Sequence, residues 1–319
     1  MKRILAVLAA SLLAGTALAQ PAGSCKTMRM IVPFTAGSVT DIVARSVAEP
    51  MGKSMGQTIV IENKPGAGGT IGAALVARSD PDGCTLLIHS SGHALNPAIY
   101  PNLPYDTIKD LTGVTPLVAV PNVLVVSPSR GWKTVADLIA AAKAKPGALN
   151  YASAGTGSAT HMNAEKFKLR AGIDAQHVPF KGTPDALTDV IGGRDDWFFA
   201  PMASALPMVK DGKVLALAVS SAQRSPALPD VPTTIEAGVP DSDYTLWVGM
   251  IVPSATPPAI VKRLHDEAAR AVNAPEMKTR LATLGAEPFI MEPAAFNAYI
   301  KSEMEAAALI ARSANLKAQ

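Results

Sequence analysis

Aromatic residues make up only 5% of this 319-residue chain, so its cores have to be assembled mainly from Ala, Val, Ile and Leu. With only two cysteines, Cys25 and Cys84, a disulfide-rich scaffold is excluded, and their spacing forms no C-x-x-C redox or zinc pair. No run beyond residue 19 approaches the ~20 uninterrupted apolar residues of a membrane-spanning helix. Charge of one sign is lacking as well: 29 Lys and Arg against 26 Asp and Glu leave +3. A chain so near neutrality offers no global field for nucleic acid. Several catalytic signatures are missing too. There is no G-x-S-x-G elbow to expose a nucleophilic serine, no H-E-x-x-H, and no G-x-x-x-x-G-K-[ST] phosphate loop. No cofactor or metal is implied.

The chain opens with Lys2 and Arg3, an apolar run over residues 4–14, and Ala17-Leu18-Ala19. This is the charge, apolar stretch and small-residue cleavage site of a cleavable export signal over residues 1–19. Its removal takes away two positive charges and no negative one, so +3 becomes +1. Both cysteines would then enter an oxidising compartment, where a Cys25–Cys84 disulfide is expected. Cys25 precedes the first expected strand and Cys84 opens the run 85–88, its parallel neighbour, so both thiols fall at one edge of the sheet. The competing reading, lipidation of Cys25, meets Ala-Gly-Ser before the cysteine rather than the expected leucine.

About 300 mature residues with 48% hydrophobic content suffice for two domains. Short apolar runs at 28–33, 58–62 and 85–88 alternate with helical periodicity over 40–55 and 69–77, which predicts a parallel sheet covered by helices. A second series follows: strands at 123–126, 150–152, 177–180, 197–199 and 215–219, with helices at 134–144, 158–171 and 184–191. A strand at 246–252 and helices at 258–273, 275–284 and 293–314 close the chain. These last helices lack a sheet of their own and are expected to return to the first domain. That places domain 1 at 20–122 plus 245–319 and domain 2 at 123–244, with crossings near 118–123 and 244–249.

Three Gly/Ser-rich loops, 34–41, 90–93 and 153–158, follow strand ends and lead into helices. Such loops supply free N–H groups, hydroxyls and a helix dipole, which together can hold a carboxylate without a fixed cation. Any one of them could be only a helix cap. A fourth glycine cluster, 65–72, fails the dinucleotide spacing at Ile71 and reads as a tight turn approaching ligand or opposing lobe. His161 and Glu165 stand at i and i+4 and could meet one metal, although an exposed helix-face pair is the plainer expectation. His265, Asp266 and Glu267 read as solvated surface, and Asp195 and Asp196 as a turn beyond a helix end. His93 sits on a cleft loop.

Six stretches give the chain a family resemblance: IVPFTAGSVTD at 31–41, VIENKPGAGGT at 60–70, LPYD at 103–106, LNYASAGTGS at 149–158, HVPFKG at 177–182 and LPDVPT at 228–233. In this order the chain resembles the Bug or TctC-like extracytoplasmic solute receptors, binding components of tripartite tricarboxylate transporters. The resemblance implies an α/β, type II periplasmic-binding-protein fold with two lobes and a Venus-flytrap cleft, and a monomeric, periplasmic, non-enzymatic binding protein. Its partners would be a small carboxylate and membrane transporter subunits. Carried over by motif, ligand contacts are expected from Phe34, Thr35, Ala36, Gly37, Ser38 and Asp41, with Ala67 and Gly68 beside them. A further set is Ser90, Ser91, His93, Ser153, Thr156, Gly157, Ser158, His161 and Thr183.

Two departures bear on the ligand. Gly37-Ser38 stands where relatives often read Gly-Gly. Ala200-Pro201 stands where they often place Asp-Asn, which suits an apolar or aromatic carboxylate better than an amino acid. The rival functions are a secreted α/β hydrolase, for which no base accompanies the hydroxyls, and a ligand-sensing receptor for a membrane signalling partner, which would use the same closure.

Overall fold

The computed structural model describes residues 25–313 and Leu316, so the expected export signal over 1–19 lies outside the described residues. The first lobe begins with β1 (Thr27–Val32), α1 (Val39–Met55), β2 (Thr58–Asn63), α2 (Thr70–Ala77), β3 (Thr85–Ser90) and α3 (Gly92–Ile99). Strands β1, β2 and β3 are parallel, β1 lying between the others. Helix α1 forms because Val39, Val43, Val47 and Met51 recur every four residues and bury one continuous stripe. Gly56, at φ 65°, ends it by returning its N–H to the Gly52 carbonyl.

The 16-residue strand β4 (Leu111–Val126) joins the two halves. Its first part pairs with β9 (Thr245–Pro253) as far as Pro121, and from Asn122 to Val126 it pairs with β7 (Trp197–Pro201). Residues 111–120 were not expected to be strand. They carry Pro116 and run into Pro121, neither of which can donate to a ladder, and register shifts at 113/115 and 116/118 accommodate the interruption. The change of partner is locked by a buried knot in which the Ser220 N–H donates to the Asn122 carbonyl at 2.8 Å and the Asn122 N–H to Ser220 Oγ at 2.9 Å. The Tyr244 N–H donates to the Ser220 carbonyl at 2.6 Å.

The second lobe adds α4 (Val135–Ala144), β5 (Asn150–Ser153), α5 (Ala159–Ala171), β6 (Gln176–Pro179), α6 (Thr183–Ile191), α7 (Met202–Lys210) and β8 (Leu215–Val219). Sequence analysis assigned no helix to α7, which carries Pro207 in its interior. The strand order is β2-β1-β3-β9-β4-β7-β5-β6, with β8 also on β4. Tyr151, Phe167, Trp197 and Phe199 pack together here, fully buried, whereas the larger core cluster, which runs through both lobes, is mainly aliphatic. Helices α8 (Pro258–Asn273) and α9 (Pro275–Thr283), the short strand β10 (Glu287–Pro288) and α10 (Pro293–Ser313) follow, and α8 and α10 pack on β4.

The disulfide Cys25–Cys84 is present, with Cα atoms 5.9 Å apart, at the starts of β1 and β3. Two surface expectations are corrected. His265 is buried, with Nε2 3.4 Å from Glu292, because it lies on the core side of α8 while Asp266 stays outside with Lys262. His161 and Glu165 are also buried, facing the second-lobe sheet. Among the described residues no helix is long and apolar enough to cross a membrane.

Candidate functional site

The C-terminal ends of β1, β3, β5 and β7 point to one narrow hollow of about 20 Å³ between the lobes. It is lined by Phe34, Ser38, Val39, Thr40, Ser90 and Leu246 on one side and by Ala154, Ser158, Ala159, Thr160, Thr183 and Pro201 on the other. No charged side chain is among them. Instead, four helices begin on the hollow: α1 after Ser38, α5 after Ser158, α6 at Thr183 and α7 after Pro201. Each helix start carries unsatisfied N–H groups and the positive end of a dipole, so the four together favour an anion by about 0.3–1 kcal/mol each. Six hydroxyl-bearing residues (Ser38, Thr40, Ser90, Ser158, Thr160 and Thr183) complete the polar half of the lining, and the rest is apolar.

The side chains differ in what they do. Ser158 caps α5 by accepting from the His161 N–H at 3.3 Å, and its hydroxyl is 3.0 Å from that of Thr160. Ser38 makes no cap bond to its own helix; its Oγ accepts from the Thr183 N–H at 3.2 Å across the cleft. Asp41 is buried just beneath the first loop, accepting from Gly37 N–H at 3.0 Å, from Arg45 and from Asn63. Burial alone would raise its pKa, but these donors hold the carboxyl below its ordinary value. Asp41 therefore shapes the loop as an anion and lies outside the lining.

The lobes meet closely around the hollow. Thr35 N–H donates to the Lys181 carbonyl at 3.3 Å, Ser204 Oγ to the Gly37 carbonyl at 3.2 Å, and Tyr100 OH to the Thr156 carbonyl at 2.8 Å. At Gly68 a Cβ would fall 2.1 Å from the Thr156 carbonyl oxygen. The glycine cluster is thus a backbone approach to the opposing lobe, and Ala67, at φ 47°, begins it.

Of the residues expected from sequence, Phe34, Ser38, Ser90, Ser158, Thr183 and Pro201 line the hollow. Thr35, Gly37, Gly68 and Thr156 form the contacting rims, and Ala36 and Ala67 are exposed beside them. Others lie behind it. Ala200 faces the core, because alternation along β7 sends only its neighbour to the cleft. Ser91 Oγ lies 3.2 Å from the Tyr244 hydroxyl, and Ser153, Gly157 and His161 hold loop 153–158 together. His93 is no loop residue: it sits in α3, fully buried, its ring 5.5 Å from that of His89. Burial pushes the His93 imidazole down to about 4, and burial together with His93 pushes His89 well below its usual range. Sequence reasoning missed Val39, Thr40, Ala154, Ala159, Thr160 and Leu246; all but Leu246 sit inside the loops or first helical turns already singled out. Among the described residues no group of three or more His, Cys, Asp or Glu is placed to hold a metal.

Comparison with known proteins agrees with this geometry. Residues 43–316 match the family model described as "Tripartite tricarboxylate transporter family receptor". Protein BugT of Bordetella pertussis is 34% identical over 323 residues, covering 99% of each chain. The structure of Rpa4515 from R. palustris with adipate superposes with a TM-score of 0.88 at 33% identity, covering 92% of this chain and 98% of that one. MatC from Rhodopseudomonas palustris with bound malate gives 0.85 at 33% identity, covering 89% and 98%.

Proposed function

We propose, for a chain that belongs to the tripartite tricarboxylate transporter receptor family, that it is a periplasmic solute-binding protein without catalytic activity that closes on a small carboxylate and delivers it to membrane transporter subunits. The observation that carries this reading is the convergence of four helix N-termini on a hollow lined by hydroxyls and no basic side chain. An anion there is met by dipoles and N–H donors already in place, which costs little reorganisation on binding. The site divides its ligand: the hydroxyl and amide side takes the carboxylate, and Phe34, Val39, Leu246 and Pro201 take an apolar body. A carboxylate with an apolar or aromatic body fits this lining better than an amino acid, whose ammonium group would find no carboxylate on the wall.

The division into domain 1 (20–122 plus 245–319) and domain 2 (123–244) belongs to the same proposal: closure would turn about β4 near Asn122 and the Ser220–Tyr244 knot. The 33%-identical relatives bound to adipate and malate support a carboxylate class.

The test is a thermal-shift and calorimetry panel of malate, adipate, benzoate and a branched aliphatic monocarboxylate, each beside its amide. Stabilisation by at least one acid and by none of the amides is expected, since an amide lacks the charge the helix dipoles select. A ligand at 100 times its Kd adds about 2.7 kcal/mol. Stabilisation by amides as strong as by acids would overturn the reading, and so would a response to none of the acids together with no carboxylate retained in native mass spectra of protein purified from cells.

A further inference from the structure

The second-lobe loop 153–158 presents Ala154 and Ser158 to the hollow, yet two of its residues, Gly155 at φ 122° and Gly157 at φ 76°, take conformations that other residues rarely adopt. Something outside the loop has to hold such a path. Directly behind it the rings of Trp197, Tyr151, His177 and His161 form a stack. Tyr151 lies 4.9 Å from Trp197 and 5.0 Å from His177, and His161 lies 4.0 Å from His177 with the rings 14° apart.

Each histidine receives a hydrogen bond from the loop. Gly157 N–H points to His161 Nδ1 at 3.2 Å, so that nitrogen is the acceptor and a neutral ring carries its proton on Nε2. Ser153 is fully buried, and its Oγ already accepts from Gly155 N–H at 3.0 Å. Its own hydroxyl proton has one acceptor within reach, His177 Nε2 at 2.6 Å, which leaves the His177 proton on Nδ1. The two rings grip opposite ends of one loop: His161 does so only while Nδ1 is bare, and a bare His177 Nε2 is what gives the Ser153 hydroxyl proton its acceptor.

We propose that His161 and His177 are positioning residues, a stacked pair of neutral imidazoles in opposite tautomers that fixes loop 153–158 in its ligand-receiving geometry. The proposal rests on the binding function proposed above. Burial, more than the neighbouring charges, keeps the pair neutral at physiological pH. His161 faces Lys168 and Glu165 from its own helix, Tyr151 from β5 and His177 from β6. Burial, with Lys168 adding to it, pushes His161 down to about 4; burial and the neighbouring His161 push His177 to about 3, against the pull of Glu165. Protonation of His161 sets a donor against the Gly157 N–H, and protonation of His177 forces the Ser153 hydroxyl to reverse and accept, so acid loosens the loop.

The test needs no ligand at first. In nitrogen-15 spectra of the wild-type protein at pH 7, His161 is expected protonated on Nε2 and His177 on Nδ1, both remaining neutral at pH 5.5. His161→Leu should speed hydrogen exchange at the Gly157 amide, and His161→Asn, which restores an acceptor at the same distance from the backbone, should return it. His177→Gln should likewise outperform His177→Leu. With malate and adipate as probes, the leucine variants should bind ~10-fold or more weakly, the size of one lost buried hydrogen bond. The opposite tautomers, a charged ring at pH 6, or leucine variants with unchanged Gly157 exchange would overturn the proposal. If wild-type protein binds neither acid, the affinity arm uses whichever acid of the panel above stabilises it; if none does and no carboxylate is retained, the binding function is what fails, and the tautomers and amide exchange still decide this inference.

Discussion

At the scale of single residues, closure depends on places where no side chain is tolerated. Gly182 is the clearest: a Cβ there would lie 1.9 Å from Thr35 Oγ1 and 2.7 Å from Ser38 Oγ, both on the opposing lobe. Its φ of 177° is ordinary extended backbone, so alanine brings no strain within its own lobe. Gly182→Ala should therefore block the closed state alone. Ligand affinity is expected to fall at least ~10-fold, because a ligand binds only as tightly as its competent state is populated. The unliganded melting temperature should stay unchanged; calorimetric titration and a melt of the free protein check both, and a fall in the melting temperature equal to the affinity loss would contradict it. This glycine sits in the HVPFKG stretch at 177–182, but nothing in the sequence says that its neighbour is Thr35, 147 positions away.

At the scale of elements, the strands separate structural work from binding work by their ends. The disulfide ties the starts of β1 and β3, and the hollow lies past their carboxyl ends. Cys25→Ser with Cys84→Ser should then cost about 4 kcal/mol of stability on the chain-entropy model, without changing ligand affinity. Urea unfolding with and without the bridge measures the first, and titration at low urea the second; a large affinity change would mean that the bridge reaches the site. The pairing could be anticipated because adjacent parallel strands start at one edge. Strand β4 could not, since Pro116 and Pro121 break the local pattern and only its bulged pairing with β9 makes it a strand.

For the whole molecule, acid should loosen both lobes together. His89 and His93 in the first lobe and His161 and His177 in the second are all held below the ordinary histidine value of 6.5, chiefly by burial. In the unfolded chain they protonate near 6.5, so over the window from about 6.5 down to about 4 the unfolded state binds more protons. Stability is then complete above 6.5 and is lost as the pH falls, with a limiting slope of about 1.4 kcal/mol per pH unit for each histidine. Denaturation midpoints from pH 7 to pH 4 should fall steadily, and a flat profile above pH 5 would refute this account.

The sequence by itself determined the alternation of strands and helices, the cysteine pair and the loops that would face a ligand, because periodicity, glycine and helix-capping residues act over a few neighbours. Tertiary structure alone decided which of those residues touch the hollow. Phe34, Ser38 and Ser158 do, whereas Asp41, His93 and Ala200 lie behind it. It also brought His161 and His177 into one stack and buried His265, a residue in a charged stretch. The physical reason is that burial and hydrogen-bond partnership are set by segments tens to hundreds of residues apart, and no local pattern records the distance between them.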